Sequence, residues 1–215
     1  RTSRPRPSAR HWRGPWVQKS GSREIAQRVR DVVGRQIAVV AKLDMDDGLP
    51  GSIWIDEALR TAQLLDHDRT LDALELTQGS SVFKPMYLFR GDTPVREFAN
   101  VMPPALRPGV RLAGKQVMGV YPYHDLYMLE AARQFVPVVT NTKLILLGGI
   151  TNREHVQRGL DEGFDFVAMG RALLREPDLV DRLQSERAVA GVCIHCTPSC
   201  WSSNTGFFDA GSYPT

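Results

Sequence analysis

Two short apolar runs, each ending in glycine and each leading into a helical pattern, limit what this chain can fold into more than any other feature. Leu144–Leu147 runs into Gly148 and Gly149, and Phe166–Met169 runs into Gly170 and Arg171. Strand, glycine, helix is the local grammar of a parallel α/β protein, because parallel strands need a crossover and a helix is the usual one. The same grammar suits phosphate. Glycine lets the backbone come close, free N–H groups point outward, and the helix N-terminus adds partial positive charge. A tight turn with no ligand is the plainer reading of each glycine pair. Two turns on neighbouring parallel strands could share one phosphate, as the loops after strands 7 and 8 of a (β/α)8 barrel do.

The rest of the chain keeps this rhythm. Ser22 begins an amphipathic helix through Val33, and Ile37–Leu43 is a buried-strand pattern. Ile53–Asp66 is a helix with Ala58, Leu59, Ala62 and Leu65 at helical spacing, and Leu71–Leu76 is a second strand. Residues 80–114 break the alternation. Lys84-Pro85, Thr93-Pro94, Pro103-Pro104 and Pro108-Gly109 punctuate them, and they read as a long irregular insertion of the kind that forms lids and substrate loops. Asp125–Phe135 is a helix. The strands Lys143–Leu147 and Phe164–Met169 follow, each with a helix behind it: Asn152–Glu162 and Arg171–Gln184. Four βα units with right-handed crossovers amount to half of an eightfold barrel.

Length and composition agree. The 215 residues, 42% apolar and 24% charged, suffice for one globular domain with a real core. No run is long enough to span a bilayer, so no membrane association is expected. The first methionine is Met45, so a fragment, a processed form or an incomplete reading is expected. Arg1, Arg4, Arg6, Arg10, Arg13, Lys19 and Arg23 precede any acid. They leave the body at −4 within an overall net charge of +3. The head, residues 1–21, is read as a basic flexible segment: a targeting peptide, a nucleic-acid arm or an unstructured end. No basic surface interleaved with aromatics follows it, so no nucleic-acid partner is expected.

Three motifs need weighing against bland alternatives. Asp44–Gly48 (DMDDG) has the acidic density of a calcium loop, but Leu49 and Ile55 stand where that loop needs glycine and glutamate. It is read as a solvated loop whose Asp44 or Asp47 could face the barrel mouth. His11, His67, His124, His155 and His195 are scattered and read as exposed or helix-surface residues. Cys193, Cys196 and Cys200 fall within eight residues. An odd cluster does not suggest a secreted disulfide framework, and a reducing cytoplasm is the expected compartment. Three free thiols are the plain reading. A zinc site completed by His195 has awkward spacing, and an iron–sulfur cluster asks for a fourth thiolate that the sequence does not supply.

The segments KPMYLFRGDTPVREFA, YPYHDLYMLEAARQF, LILLGGIT and GFDFVAMGRALLREPDLV resemble the C-terminal half of the old yellow enzyme family. The branch is that of the NADH:flavin oxidoreductases akin to 2,4-dienoyl-CoA reductase, and the resemblance covers about residues 22–200. It implies a (β/α)8 barrel of TIM type holding FMN at its C-terminal face, reduced by NAD(P)H and passing the hydride to an activated alkene or enone. This chain would supply strands 5 to 8, as a domain of residues 22–190 followed by a cysteine-containing tail, 191–215. The resemblance matches Gly148 and Gly149 to the phosphate turn after strand 7, and Gly170 and Arg171 to the one after strand 8. It places Lys42 near the flavin N1 edge, where a cation stabilises the charge of the reduced ring. By residues alone, Lys42 is a snorkelling strand lysine. The Cys193, Cys196, Cys200 spacing matches the first three cluster ligands of that branch. The family's acid–base residues lie in strands absent here, so none is assigned. A non-catalytic or degenerate phosphate-binding half-barrel is the alternative, and a sugar-phosphate isomerase barrel a third. An open barrel edge predicts self-association.

Overall fold

The computed structural model describes residues 21–80 and 85–193. Helix α1 (Gly21–Val33) is followed by β1 (Val40–Asp44), α2 (Ile55–Asp68) and β2 (Ala73–Thr77). Three short helices, α3 (Pro85–Phe89), α4 (Val95–Val101) and α5 (Arg107–Met118), lead to α6 (Leu129–Ala132) and β3 (Lys143–Leu147). Then come α7 (Arg153–Asp161), β4 (Phe166–Ala168), α8 (Arg171–Arg175) and α9 (Leu179–Gln184). The four strands form one parallel sheet in sequence order, β1-β2-β3-β4. This is a parallel α/β architecture compatible with part of a barrel. Among the described residues no helix is long and apolar enough to cross a membrane.

The strand register sorts side chains onto two faces. Leu43, Leu76, Leu146 and Val167 form one row across the sheet. That face packs under Ala58, Ala62 and Leu65 of α2 and under Ala132 and Phe135, making the main core. The next row along, on the opposite face, is Lys42, Glu75, Ile145 and Phe166. This face is open: Val40 is 52% and Phe166 54% exposed, unusual for apolar residues in a parallel sheet.

The two ends of the sheet are built differently. At the N-terminal ends, carboxylates take up the free backbone groups, Asp66 from a buried position, Asp72 from a half-buried one and Asp165 from an exposed one. Asp72 accepts from Val39 N at 2.6 Å, and Asp165 accepts from Leu144 N at 3.0 Å. Asp66, at the end of α2, accepts from the N–H groups of Thr140, Asn141 and Thr142 just before β3. Buried Arg30 of α1 donates Nε to Thr70 O, Nη1 to Gly34 O and Nη2 to Asp72. Replacing Arg30 with methionine keeps the stem but orphans these acceptors. We expect a loss of about 2 kcal/mol in urea unfolding.

The structure departs from the sequence-based expectations in three places. Residues 85–118 are not irregular. Proline stands at the first position of α3, at the cap of α4 and in the first turn of α5. There it interrupts no hydrogen bond, so these prolines start helices and do not break them. Helices α4 and α5 pack closely, and a Cβ at Gly114 would lie 2.7 Å from Val95 Cγ1. The expected helix Arg171–Gln184 is two helices, because Pro177 forces Glu176 to an extended conformation, φ −137° and ψ 85°. Of Asp125–Phe135 only Leu129–Ala132 is α-helical, with turns on either side.

Candidate functional site

The strands run parallel, so Asp44, Gly79, Gly148 and Gly170 all lie at one end of the sheet, at or just beyond the strands' C-terminal ends. The two glycine turns there differ. Gly148 (φ +101°) and Gly149 (φ +72°) adopt backbone angles that favour glycine, and the segment 124–128 is packed onto them. A Cβ at Gly148 would meet Met128 Cγ at 2.7 Å, and one at Gly149 would meet Leu126 N at 2.6 Å. Gly170 has φ −100°, and a Cβ there would meet nothing within 4 Å. Packing among the described residues therefore does not require glycine at 170. The open space over it is room for a ligand.

The N–H groups of Gly149, Ile150 and Gly170 donate to no acceptor among the described residues. Arg171 begins α8 beside them, and its Nη1 donates to Arg90 O at 2.8 Å. Close N–H groups, an uncrowded glycine and a guanidinium fit a phosphate dianion. The N-terminus of α7 is differently disposed, because Asn152 Oδ1 already accepts from His155 N at 2.7 Å.

Above these turns the insertion delivers a cluster that the sequence did not reveal. Arg90 follows α3 with φ +35°, an uncommon angle for a residue with a Cβ. Its guanidinium carbon lies 5.7 Å from the Tyr87 ring centroid and 5.3 Å from that of Tyr127. Arg90 Nη1 donates to His124 Nε2 at 2.9 Å, while buried Nε has no acceptor among the described residues. Tyr87 OH donates to Asp46 at 3.1 Å, behind β1, and the Tyr127 ring lies against Gly148, behind β3. Arg90 is thereby slung across the C-terminal ends of the strands. Beside it, Gly91, Asp92, Thr93, Lys115, Val120, Pro122 and Tyr123 line an open cleft of about 330 Å³.

The acidic loop after β1 is half-buried, not solvated. Asp46 Oδ1 accepts from Gly48 N at 2.7 Å, and Asp44 Oδ1 accepts from Asp46 N at 3.2 Å. Burial, with the hydrogen bond and charge of Asp47, pushes the Asp44 carboxyl well above the usual carboxylate range. This end of the mouth can hold a proton at neutral pH. Burial, with the charge of Asp46 and its hydrogen bond, pushes Tyr87 up to about 12, so its phenol stays protonated. Burial, then the hydrogen bond and charge of Asp125, raise Tyr123 as well.

Lys42 lies mid-strand on the open face, and its Nζ is 3.0 Å from Glu75 Oε1. It is apart from the turns that hold the other four residues singled out by sequence. His155 corrects the surface reading of the histidines. It is buried, with Nε2 3.5 Å from Asp125 Oδ2 and Nδ1 3.4 Å from Thr151 N. His124 is exposed and bonded to Arg90, and His67 is exposed. Cys193 is a half-buried free thiol. Cys196, Cys200, His195, His11 and the basic head through Ser20 lie outside the described residues, and so do nearly all of the tail and the iron–sulfur or zinc readings. Among the described residues no group of three His, Cys, Asp or Glu could hold a metal.

The fold sets the class: a parallel α/β sheet with its polar, ligand-accessible groups at the C-terminal ends of the strands. No family model matches the chain. It is 42% identical over 184 residues to the 4,4'-dithiodibutanoate disulfide reductase of Rhodococcus erythropolis, a match that takes in 86% of this chain and 45% of that protein. The chain thus spans just under half the length of the curated relative it matches, and by sequence it is related to an oxidoreductase. Among solved structures it is similar in fold to 2-naphthoyl-CoA reductase in complex with 2-naphthoyl-CoA. The TM-score is 0.50 at 15% identity, over 78% of this chain and 21% of that one.

Proposed function

We propose that this chain corresponds to the C-terminal half of an FMN-dependent oxidoreductase of old yellow enzyme type, and that it carries the phosphate end of the flavin site. The observation that carries the reading is the pair of glycine turns at one end of a parallel sheet, where the N–H groups of Gly149, Ile150 and Gly170 meet no acceptor among the described residues. The open sheet face supports the barrel part of the reading. In a closed barrel, Lys42, Glu75, Ile145 and Phe166 would point inward, and β1 and β4 would each gain a neighbour. Exposed Ile25 and Val32 on α1 and Leu174 on α8 are apolar in the way helices are when a further helix covers them. Alone, such faces favour self-association.

In this reading Gly148, Gly149, Gly170 and Arg171 hold the phosphate. Lys42 faces the barrel interior, where exchanging Glu75 for the flavin N1 edge would stabilise negative charge. Bound FMN would supply two-electron hydride chemistry between NAD(P)H and an electron-poor substrate. The sequence relative's name specifies a disulfide with a carboxylate at each end. For such a substrate the overall change is NAD(P)H, a proton and one disulfide giving NAD(P)+ and two thiols; for the enone of the wider family it is saturation of the double bond. Asp44 is the group of this chain best suited to hold a proton at the mouth.

The test is a titration of the chain with FMN, followed by flavin fluorescence. Phosphate contacts are present and ring contacts few, so FMN and inorganic phosphate should compete and both bind at roughly millimolar Kd, around 4 kcal/mol. Lys42→Met should weaken FMN and leave phosphate unchanged. Absence of competition between the two would sink the site.

A further inference from the structure

We propose that Arg90 is a carboxylate-binding subsite, so that this mouth selects substrates carrying an anionic end. The inference rests on the reading of the mouth as the substrate side of an oxidoreductase and adds the substrate class. Its starting point is the state of the guanidinium. Nη1 is committed to His124, whereas the edge formed by Nε and Nη2 has no hydrogen-bond acceptor among the described residues. That edge has the two-pronged geometry that a carboxylate accepts side-on. No carboxylate of the described chain forms an ion pair with Arg90, and nearby Asp46 is engaged by Tyr87.

The surroundings are built to hold the side chain, not merely to tolerate it. Tyr87 and Tyr127 flank the guanidinium, and Tyr87 is itself braced edge-on by Tyr121 at 5.2 Å. The backbone of Arg90 is held at φ +35°, and its carbonyl is tied to Arg171. An uncommon backbone angle joined to an unpartnered buried donor is the signature of a position set by a ligand more than by packing. The Nε hydrogen is shielded from water, so a carboxylate reaching it must part the tyrosine rings. Binding should therefore be visible in tyrosine fluorescence and near-ultraviolet circular dichroism. The cleft that starts at Gly91 would receive the rest of the ligand, with Lys115 among its walls and Asp92 as its one carboxylate.

A phosphate could use the same edge, and the test separates the two. The chain, without flavin, is titrated with 4,4'-dithiodibutanoate, its dimethyl ester and inorganic phosphate, by calorimetry and by tyrosine signal. The diacid should bind saturably, with a tyrosine change, at least ten-fold more tightly than the neutral diester. Arg90→Gln should abolish diacid binding, and Arg90→Lys, which keeps the charge but not the fork, should weaken it at least three-fold. Phosphate should bind Arg90→Gln as it binds the parent and should not displace the diacid. Equal binding of acid and ester, or unchanged binding by Arg90→Gln, would overturn the proposal. Arg90-dependent phosphate binding that displaces the diacid would reassign the edge to phosphate. The ester comparison needs no variant, so it holds even if Arg90→Gln misfolds. Because no flavin is present, failure here leaves the FMN titration to be judged separately.

Discussion

Asp66→Ala should lower stability by about 4 kcal/mol, a large fraction of the roughly 5–15 kcal/mol typical of a domain. The side chain is buried at the end of α2, and its two oxygens accept from Thr140 N (3.1 Å), Asn141 N (2.8 Å) and Thr142 N (2.7 Å), with Asn141 Nδ2 at 3.0 Å. Alanine leaves those donors with no replacement acceptor and little water. Asp66→Asn keeps one acceptor oxygen and should lose about half as much. The effect should also depend on pH. Burial alone would raise the carboxyl, but the donors of Thr140, Thr142 and Asn141 together outweigh it and bring it down to about 2. An unfolded aspartate titrates near about pH 3.9, so the difference contributes about 2.5 kcal/mol. A lowered folded value means this contribution is complete above about pH 4 and fades as pH falls through about 2. Urea midpoints at about pH 7, 5, 4 and 3 should therefore converge between the parent and Asp66→Asn only at the acid end. A constant gap down to about pH 3 would contradict the mechanism.

Asp66 also illustrates what a sequence alone can convey. The helix carrying it is legible from Ala58, Ala62 and Leu65 at helical spacing, but its partners lie more than 70 residues away. Local pattern carries no information about such pairings. The strands β3 and β4 are legible because a short apolar run closed by glycine is too short for a helix and too apolar for a loop. The insertion defeats the pattern because proline is weighed as a breaker, although at a helix's first turn it is a starter. Arg90 escapes notice for both reasons. Its own helix is not anticipated, and its setting comes from Tyr127, 37 positions on, and His124. His155 looks like a surface residue because it opens a helix; the Asp125 and Thr151 contacts that bury it come from the preceding turns.

The opposite ends of the sheet follow one logic. Asp72, Asp66 and Asp165 close off backbone N–H groups at the N-terminal ends, whereas those of Gly149, Ile150 and Gly170 meet no acceptor among the described residues. At the same end, after β1 and β2, Met45 N donates to Thr77 O and Gly79 N to Asp46 O, so the division falls on the turns after β3 and β4, where a barrel of this kind would place its ligand.

That division gives the sharpest expected contrast, between two glycines of the same candidate phosphate site. Gly149→Val should destabilise the fold by about 3 kcal/mol or more, since it forces a β-branched residue to φ +72° and drives a Cβ within 2.6 Å of the Leu126 backbone nitrogen. Gly170→Val should cost much less, about 1 kcal/mol, because its φ of −100° is negative and its Cβ meets nothing within 4 Å, so that only the ψ of −90°, outside the regions a β-branched residue favours, counts against it. Yet it should abolish binding of both phosphate and FMN, because the side chain would fill the space over the N–H groups where the oxyanion must lie. Thermal melts report the first effect, and calorimetric titration with phosphate and FMN reports the second. If Gly170→Val binds both ligands as the parent does, the space over Gly170 is not the phosphate site. If it melts early while Gly149→Val does not, the structural roles of the two turns are the reverse of those argued from their backbone angles.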